Sequence, residues 1–78
     1  MTEAGALAAV DVYRVDVERA ERGWEVRILD RQGGAVFVRP CGGEAEARTF
    51  ASTVIQHLGW LSVPKFREYY RLPDEAGA

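Results

Sequence analysis

Soft metal ligands are nearly missing from this chain of 78 residues, which holds one cysteine, Cys41, and one histidine, His57. One cysteine cannot close an internal disulfide, and the two side chains stand 16 positions apart without CxxC or HxxxH spacing, so no metal site is expected. Lysine is scarce as well: nine of the ten basic residues are arginine. With plentiful Ala, Gly and Val, that bias points to a GC-rich bacterial genome, in which arginine follows codon usage as readily as phosphate binding. No apolar run approaches the roughly 20 residues that cross a bilayer, so no membrane partner is expected. Residues 1–10 lack Lys and Arg and carry Glu3, unlike the charged start of a secretory signal; a cytoplasmic location is therefore expected. A strong charge of one sign is also absent, the net charge being −2. Setting aside Glu3, Asp74 and Glu75 leaves nine acids against ten bases, which is neither a basic nucleic-acid footprint nor an acidic mimic of one.

What the chain does have is one change of hydrophobic rhythm, at Cys41-Gly42-Gly43. Before it, apolar residues alternate: Tyr13, Val15, Val17, then Trp24, Val26, Ile28. After it, they recur at helical spacing: Ala47, Phe50, Ala51, Val54, Ile55, Leu58. The switch predicts an α+β domain, a three-stranded antiparallel sheet packed on one main helix with a short C-terminal helix, in the order β-β-β-α-α. Residues 1–9 read as a flexible lead-in, though Leu7 and Val10 have the character to dock. Residues 10–72 read as a single domain and 73–78 as a tail.

The predicted strands are 10–19, 24–30 and 35–39. Ala20-Glu21-Arg22-Gly23 forms the first tight loop, with Gly23 free to take positive φ. Asp30-Arg31-Gln32-Gly33 has the pattern of a type I turn, and Pro40 is expected to end the third strand. Charge selects the first register. Val17 opposite Val26 and Val15 opposite Ile28 also set Asp16 opposite Arg27, whereas the shifted pairing sets Arg14 against Arg27 and Asp16 against Glu25. The main helix is expected over 44–58, with Glu44 and Glu46 at its positive end and Gly59 just past its last turn. Ser62 caps the second helix, Pro64 fits its first turn, Pro73 closes it, and Phe66, Tyr69 and Tyr70 form its apolar stripe.

Little of this pattern carries chemistry. Cys41 precedes a helix start, where thiolates are stabilised, but Glu44 and Glu46 oppose one there. The same glutamates repel an anion from Gly42-Gly43, which falls far short of a phosphate-binding loop. His57 lies in the last helical turn, where a structural role suffices. The carboxylate pairs, Asp16 with Glu18 and Glu44 with Glu46, sit on solvated faces, and so short a chain leaves little room for a substrate pocket. No enzyme activity and no cofactor are expected. The stripe of Phe66, Tyr69 and Tyr70 reads as packing, although Lys65, Arg67 and Arg71 flank it.

The outer face of the sheet holds Arg14, Asp16, Glu18, Glu25, Arg27, Leu29 and Val12. The third strand admits two arrangements. A three-residue loop with a bulge at Gly33 turns Val36 and Val38 inward and leaves Phe37 outside beside Arg39; a four-residue loop reverses this. In the first arrangement Val12, Leu29 and Phe37 make an apolar cluster edged by Arg14, Arg27 and Arg39, residue types that anchor interfaces. These six form the candidate partner-binding set.

Gly23-Trp24-Glu25-Val26-Arg27, Asp30 and Gly33, then Glu46-Ala47-Arg48-Thr49-Phe50 resemble the arm-type DNA-binding module at the N-terminus of tyrosine integrases, over about 28 residues. That resemblance implies a three-stranded sheet entering the major groove, with Arg14, Arg27 and Arg39 facing the bases. Pro40-Cys41-Gly42-Gly43 replaces the usual aromatic and basic connection. The stretch from Tyr13-Arg14-Val15 through Gly23-Trp24 to Glu46-Ala47 also resembles HicB-type antitoxins, which implies toxin binding and self-association. The expectation is a small non-enzymatic interaction module that self-associates or binds a protein through the outer sheet face, with DNA binding through the sheet as the alternative.

Overall fold

The computed structural model describes residues 8–73. Three antiparallel strands, β1 (Arg14–Ala20), β2 (Gly23–Leu29) and β3 (Ala35–Cys41), form a sheet in the order β1-β2-β3. Helix α1 (Glu44–Trp60) covers one face, and α2 (Val63–Tyr70) follows. The α+β order predicted from the change of period is the one observed. Val15 faces Ile28, Val17 faces Val26 and Asp16 faces Arg27, the register that charge selects.

Several boundaries differ, each for a physical reason. The first strand starts at Arg14 because residues 9–11 make a 3-10 turn, in which the Val12 and Tyr13 amides donate to the Ala9 carbonyl. The Ala9 amide donates to the Leu61 carbonyl at 3.0 Å, which ties the incoming chain to the α1–α2 junction. Ala9 rather than Val10 is the residue that docks: Ala9 is fully buried and Val10 is exposed. Leu7 lies outside the described residues. Pro40 does not end β3, which continues to Cys41 with Pro40 opposite Glu25. An outermost strand has β2 on one side only, so a residue without an N–H is tolerated there. Gly59 lies inside α1, which runs on to Trp60; the Leu61 amide closes the helix on the His57 carbonyl. Ser62 stands at the N-cap of α2 without a side-chain cap bond. That helix ends at Tyr70, and Arg71 takes the left-handed conformation (φ 56°) ahead of Pro73.

The turns follow their residue chemistry. The Asp30 carbonyl accepts from Gly33, and its side chain accepts from the Gln32 and Gly34 amides at 3.0 and 2.8 Å. At the start of α1, Glu46 reaches back to the Gly42 amide at 3.1 Å, and Glu44 pairs with Arg48 one turn on.

The core has two parts. The larger joins Ala9, Val12, Tyr13, Ile28, Val54, Leu58, Val63, Phe66, Tyr70 and Leu72. The smaller is Val26, Cys41, Ala47 and Ala51, with Trp24 packed against it and Val15 and Phe50 touching both parts. Ala47 and Ala51 carry no bulk, so the first turns of α1 approach β2 closely. The core is strongly aromatic at the α2 end. Tyr13 stacks on Phe66 with ring centres 5.3 Å apart, and the Tyr13 hydroxyl accepts from Arg67 Nε at 2.9 Å.

Candidate interaction site

The six residues expected to form one outer patch do not share a surface. Val12 is buried in the larger core, and Leu29 is buried opposite Arg14. Phe37 lies on the helix side, aligned with Ile28, with its ring 6.2 Å from Phe50 and 5.6 Å from Tyr70. Arg39 lies on that side too, its guanidinium 4.6 Å from the centre of the Phe50 ring. The cause is a bulge. Ile28 pairs with Phe37 and Leu29 with Ala35, so Val36 is an extra residue in β3. Phe37 thereby turns inward, the facing expected of the four-residue loop but reached here through the extra residue Val36, and Val38 stays exposed opposite Arg27. Of the six, Arg14, Arg27 and Leu29 lie on the outer face, and Leu29 is buried there.

That face is electrostatically closed. Glu18 stands directly opposite Glu25, an unfavourable like-charge pair. Arg27 offsets it, with Nη1 donating to Glu18 at 2.8 Å and Nε 3.4 Å from Glu25. The Nε contact is ionic rather than a hydrogen bond, since that atom is buried without a hydrogen-bond partner. These side chains are partly exposed, so the network contributes modestly, about 1 kcal/mol. Arg27→Ala is expected to lower stability by about that amount, because two glutamates are then left facing each other. Urea unfolding checks this, and Glu25→Gln should recover part of the loss.

Two apolar surfaces that the alternation and helical patterns did not single out are open. The first lies along β1, where Val15, Val17, Ala51, Ser52, Ile55 and Arg48 line a shallow groove of about 200 Å³. Ile55 fits the helical stripe of the sequence, yet it is 55 % exposed, because α1 sits over β1 and β2 and leaves that flank uncovered. Among the described residues nothing pairs with the far edge of β1. The signal in the sequence was Ile55 directly following Val54: neighbours on a helix point about 100° apart, and only one of them faces the sheet.

The second surface is aromatic and lies where α1 meets α2. His57 Nδ1 is 2.7 Å from the Tyr70 hydroxyl, and the His57 ring lies 4.5 Å from Tyr69 and 6.4 Å from Trp60. Trp60 is 74 % exposed and Tyr69 62 %. Within the stripe of α2, then, Phe66 and Tyr70 are packing residues and Tyr69 is not. Burial, and secondly the neighbouring Tyr69, push the Tyr70 hydroxyl up from 10.0 to about 12. A raised value in the folded state means that the fold holds this proton more tightly than the unfolded chain does. The resulting stabilisation is complete below pH 10 and is lost as pH climbs from 10 towards 12. The expected loss is about 2 kcal/mol across that window. It should be absent in Tyr70→Phe, as urea midpoints at the two ends of the window would show.

Reactive chemistry is sparse. Cys41 is buried, its sulfur 3.8 Å from the Arg39 carbonyl. The Gly42 amide ahead of α1 is engaged by Glu46. Among the described residues no group of three or more His, Cys, Asp or Glu side chains is placed to hold a metal ion, and no helix is long and apolar enough to cross a membrane. Comparison with protein-family models, curated proteins and solved structures gives no match to this chain.

Proposed function

We propose that this protein is a small non-enzymatic interaction module that self-associates through the edge of β1 and the adjoining flank of α1. One observation carries the proposal: an edge strand whose backbone has no partner among the described residues lies beside the apolar groove of Val15, Val17 and Ile55. An unprotected edge of this kind attracts another strand, and natural proteins that remain monomeric blunt it with charge, proline or a bulge. On β1 the charges of Arg14, Asp16 and Glu18 point to the outer face, while the helix side carries Val15 and Val17, with Arg19 at the strand's end held over the Trp24 ring. A second copy would cover both the backbone and the groove, and small domains gain stability by such pairing.

DNA reading by the sheet has less support. The outer face of β1 and β2 sets Arg14 and Arg27 against Asp16, Glu18 and Glu25, and Arg27 is already engaged. Binding to phosphates needs several uncommitted cations.

Light scattering with sedimentation at micromolar concentration tests the proposal, the expected result being a dimer. Ile55→Lys should weaken it at least about tenfold, by placing a charge in a desolvated contact. The fold should be kept, since Ile55 is exposed and belongs to neither part of the core. A wild-type protein that stays monomeric at hundreds of micromolar overturns the proposal.

A further inference from the structure

We infer that the second copy pairs with β1 antiparallel in one register, with Asp16 on the two-fold axis and Arg14 of each chain opposite Glu18 of the other. The inference rests on the self-association proposed above and specifies its geometry. A closed pair uses the same patch on both copies, so β1 must meet β1 about a two-fold axis. Residues opposite each other across a strand pair point to the same face. For both helices to stay on one side, even-numbered positions must therefore meet even, and odd meet odd. A shift of one residue would press the valines of one copy towards the outer face of the other.

Charge and length then choose among the remaining registers. With Val17 on the axis all seven residues of β1 pair, but charge rejects this register: Asp16 meets Glu18 of the second copy twice, and Val15 meets Arg19. With Val15 on the axis, the paired length of β1 falls to residues 14–16, because the strand begins at Arg14. With Glu18 on the axis, five residues also pair, 16–20, but the two Glu18 side chains oppose one another, Asp16 meets only Ala20, and Val17 meets Arg19. With Asp16 on the axis, five residues of each strand pair, 14–18. Arg14 meets Glu18 twice on the outer face, and Val15 meets Val17 twice on the helix side. The one unfavourable pair is Asp16 with its own copy. Each Asp16 has Arg27 opposite it on β2, with Arg14, Glu18 and Glu25 as the nearby charges of the same face. The groove of each copy then abuts that of the other, and the exposed Ile55 side chains lie on either side of the axis over the joined valines.

The closing experiment uses charge exchange between two variants. Arg14→Glu alone sets like charges opposite each other at both sites, and so does Glu18→Arg alone. Each is expected to weaken the dimer about tenfold. Arg14→Glu leaves the single chain little disturbed, since position 14 is exposed; Glu18→Arg removes the acceptor of Arg27 Nη1, a loss that Glu25 opposite the new guanidinium offsets in part. An equimolar mixture of the two variants restores opposite charges at both sites. Its sedimentation should return to within about threefold of wild type. Asp16→Asn removes the repulsion on the axis and should tighten the dimer about threefold; being isosteric, it decides the matter even if Glu18→Arg does not fold. Folding of each variant is checked by circular dichroism. Folded single variants that weaken the dimer but do not rescue each other overturn this register while leaving self-association intact. Single variants with unchanged affinity overturn pairing through β1. A monomeric wild-type protein overturns both.

Discussion

Phe66→Ala is expected to remove most of the stability of this protein, about 4 kcal/mol. A domain of this size has of the order of 4–12 kcal/mol in total. Phe66 is fully buried, stacked on Tyr13 and tilted against Tyr70 at 4.9 Å. It therefore joins three parts of the chain: the segment before β1, the short helix α2 and the aromatic end of the core. Helix α2 has eight residues, too few to persist alone in water. Its docked side chains, Val63, Phe66 and Tyr70, with the bond from Arg67 to Tyr13, hold it in place. Removing the central ring leaves a cavity that cannot collapse easily, because Tyr13 is fixed by its bond from Arg67 and Tyr70 by its contact with His57. Phe66→Leu keeps most of the volume and should cost less than half as much, about 1–1.5 kcal/mol. Urea unfolding followed by circular dichroism reads both values. A loss under about 1 kcal/mol for the alanine variant would mean that α2 does not belong to the cooperative core.

The weight placed on α2 shows where sequence reading succeeds and where it stops. The pairing of β1 with β2 is legible because two independent signals agree, the valine alternation and the match of Asp16 with Arg27. Helix α1 is legible from its stripe, and Ala47, Ala51, Val54 and Leu58 are its buried residues. The facing of β3 is not legible. It depends on one extra residue, Val36, and a shift of one residue exchanges the two faces of a strand. Gly33 and Gly34 permit either outcome, and the choice follows from what Phe37 finds on the helix side, namely Phe50 and Tyr70. The start of the first strand fails for a similar reason. Val10 and Val12 alternate as a strand would, but a long-range bond from Ala9 to Leu61 bends the chain into a turn. Gly59 carries the local mark of a helix end, yet the helix continues past it to Trp60. Ile55 and Trp60 were hidden by the same limit: helical spacing identifies which residues share a face, not how much of that face the rest of the molecule covers. The candidate site is thus almost wholly a product of tertiary structure, whereas the architecture is largely local.

Gly23→Ala should cost nearly as much as the loss of a core ring, about 3 kcal/mol, although Gly23 buries no side chain. Gly23 follows the two-residue loop of Glu21 and Arg22 and has φ 115°. Among the described non-glycine residues only Arg71 has positive φ, so Gly23 carries the left-handed bend of this hairpin alone. A φ of 115° lies well beyond the left-handed basin that other residues visit, centred near 57°. The second cost is spatial. A Cβ at Gly23 would stand 2.8 Å from the Cys41 carbonyl oxygen, a backbone atom at the end of β3 that cannot swing aside. Relief would require β3 to move away from β2 just where Trp24 pairs with Cys41 and α1 begins. Gly33→Ala separates the two effects. Gly33 also has positive φ, 85°, but nothing lies within 4 Å of its would-be Cβ. Its alanine variant should lose only the conformational part, about 1–2 kcal/mol. Thermal and urea unfolding of the two variants side by side give the difference, which measures how rigidly the ends of β2 and β3 are held together. Equal losses at the two glycines would show that β3 yields at its end and that the contact between Gly23 and Cys41 imposes no constraint on the sheet.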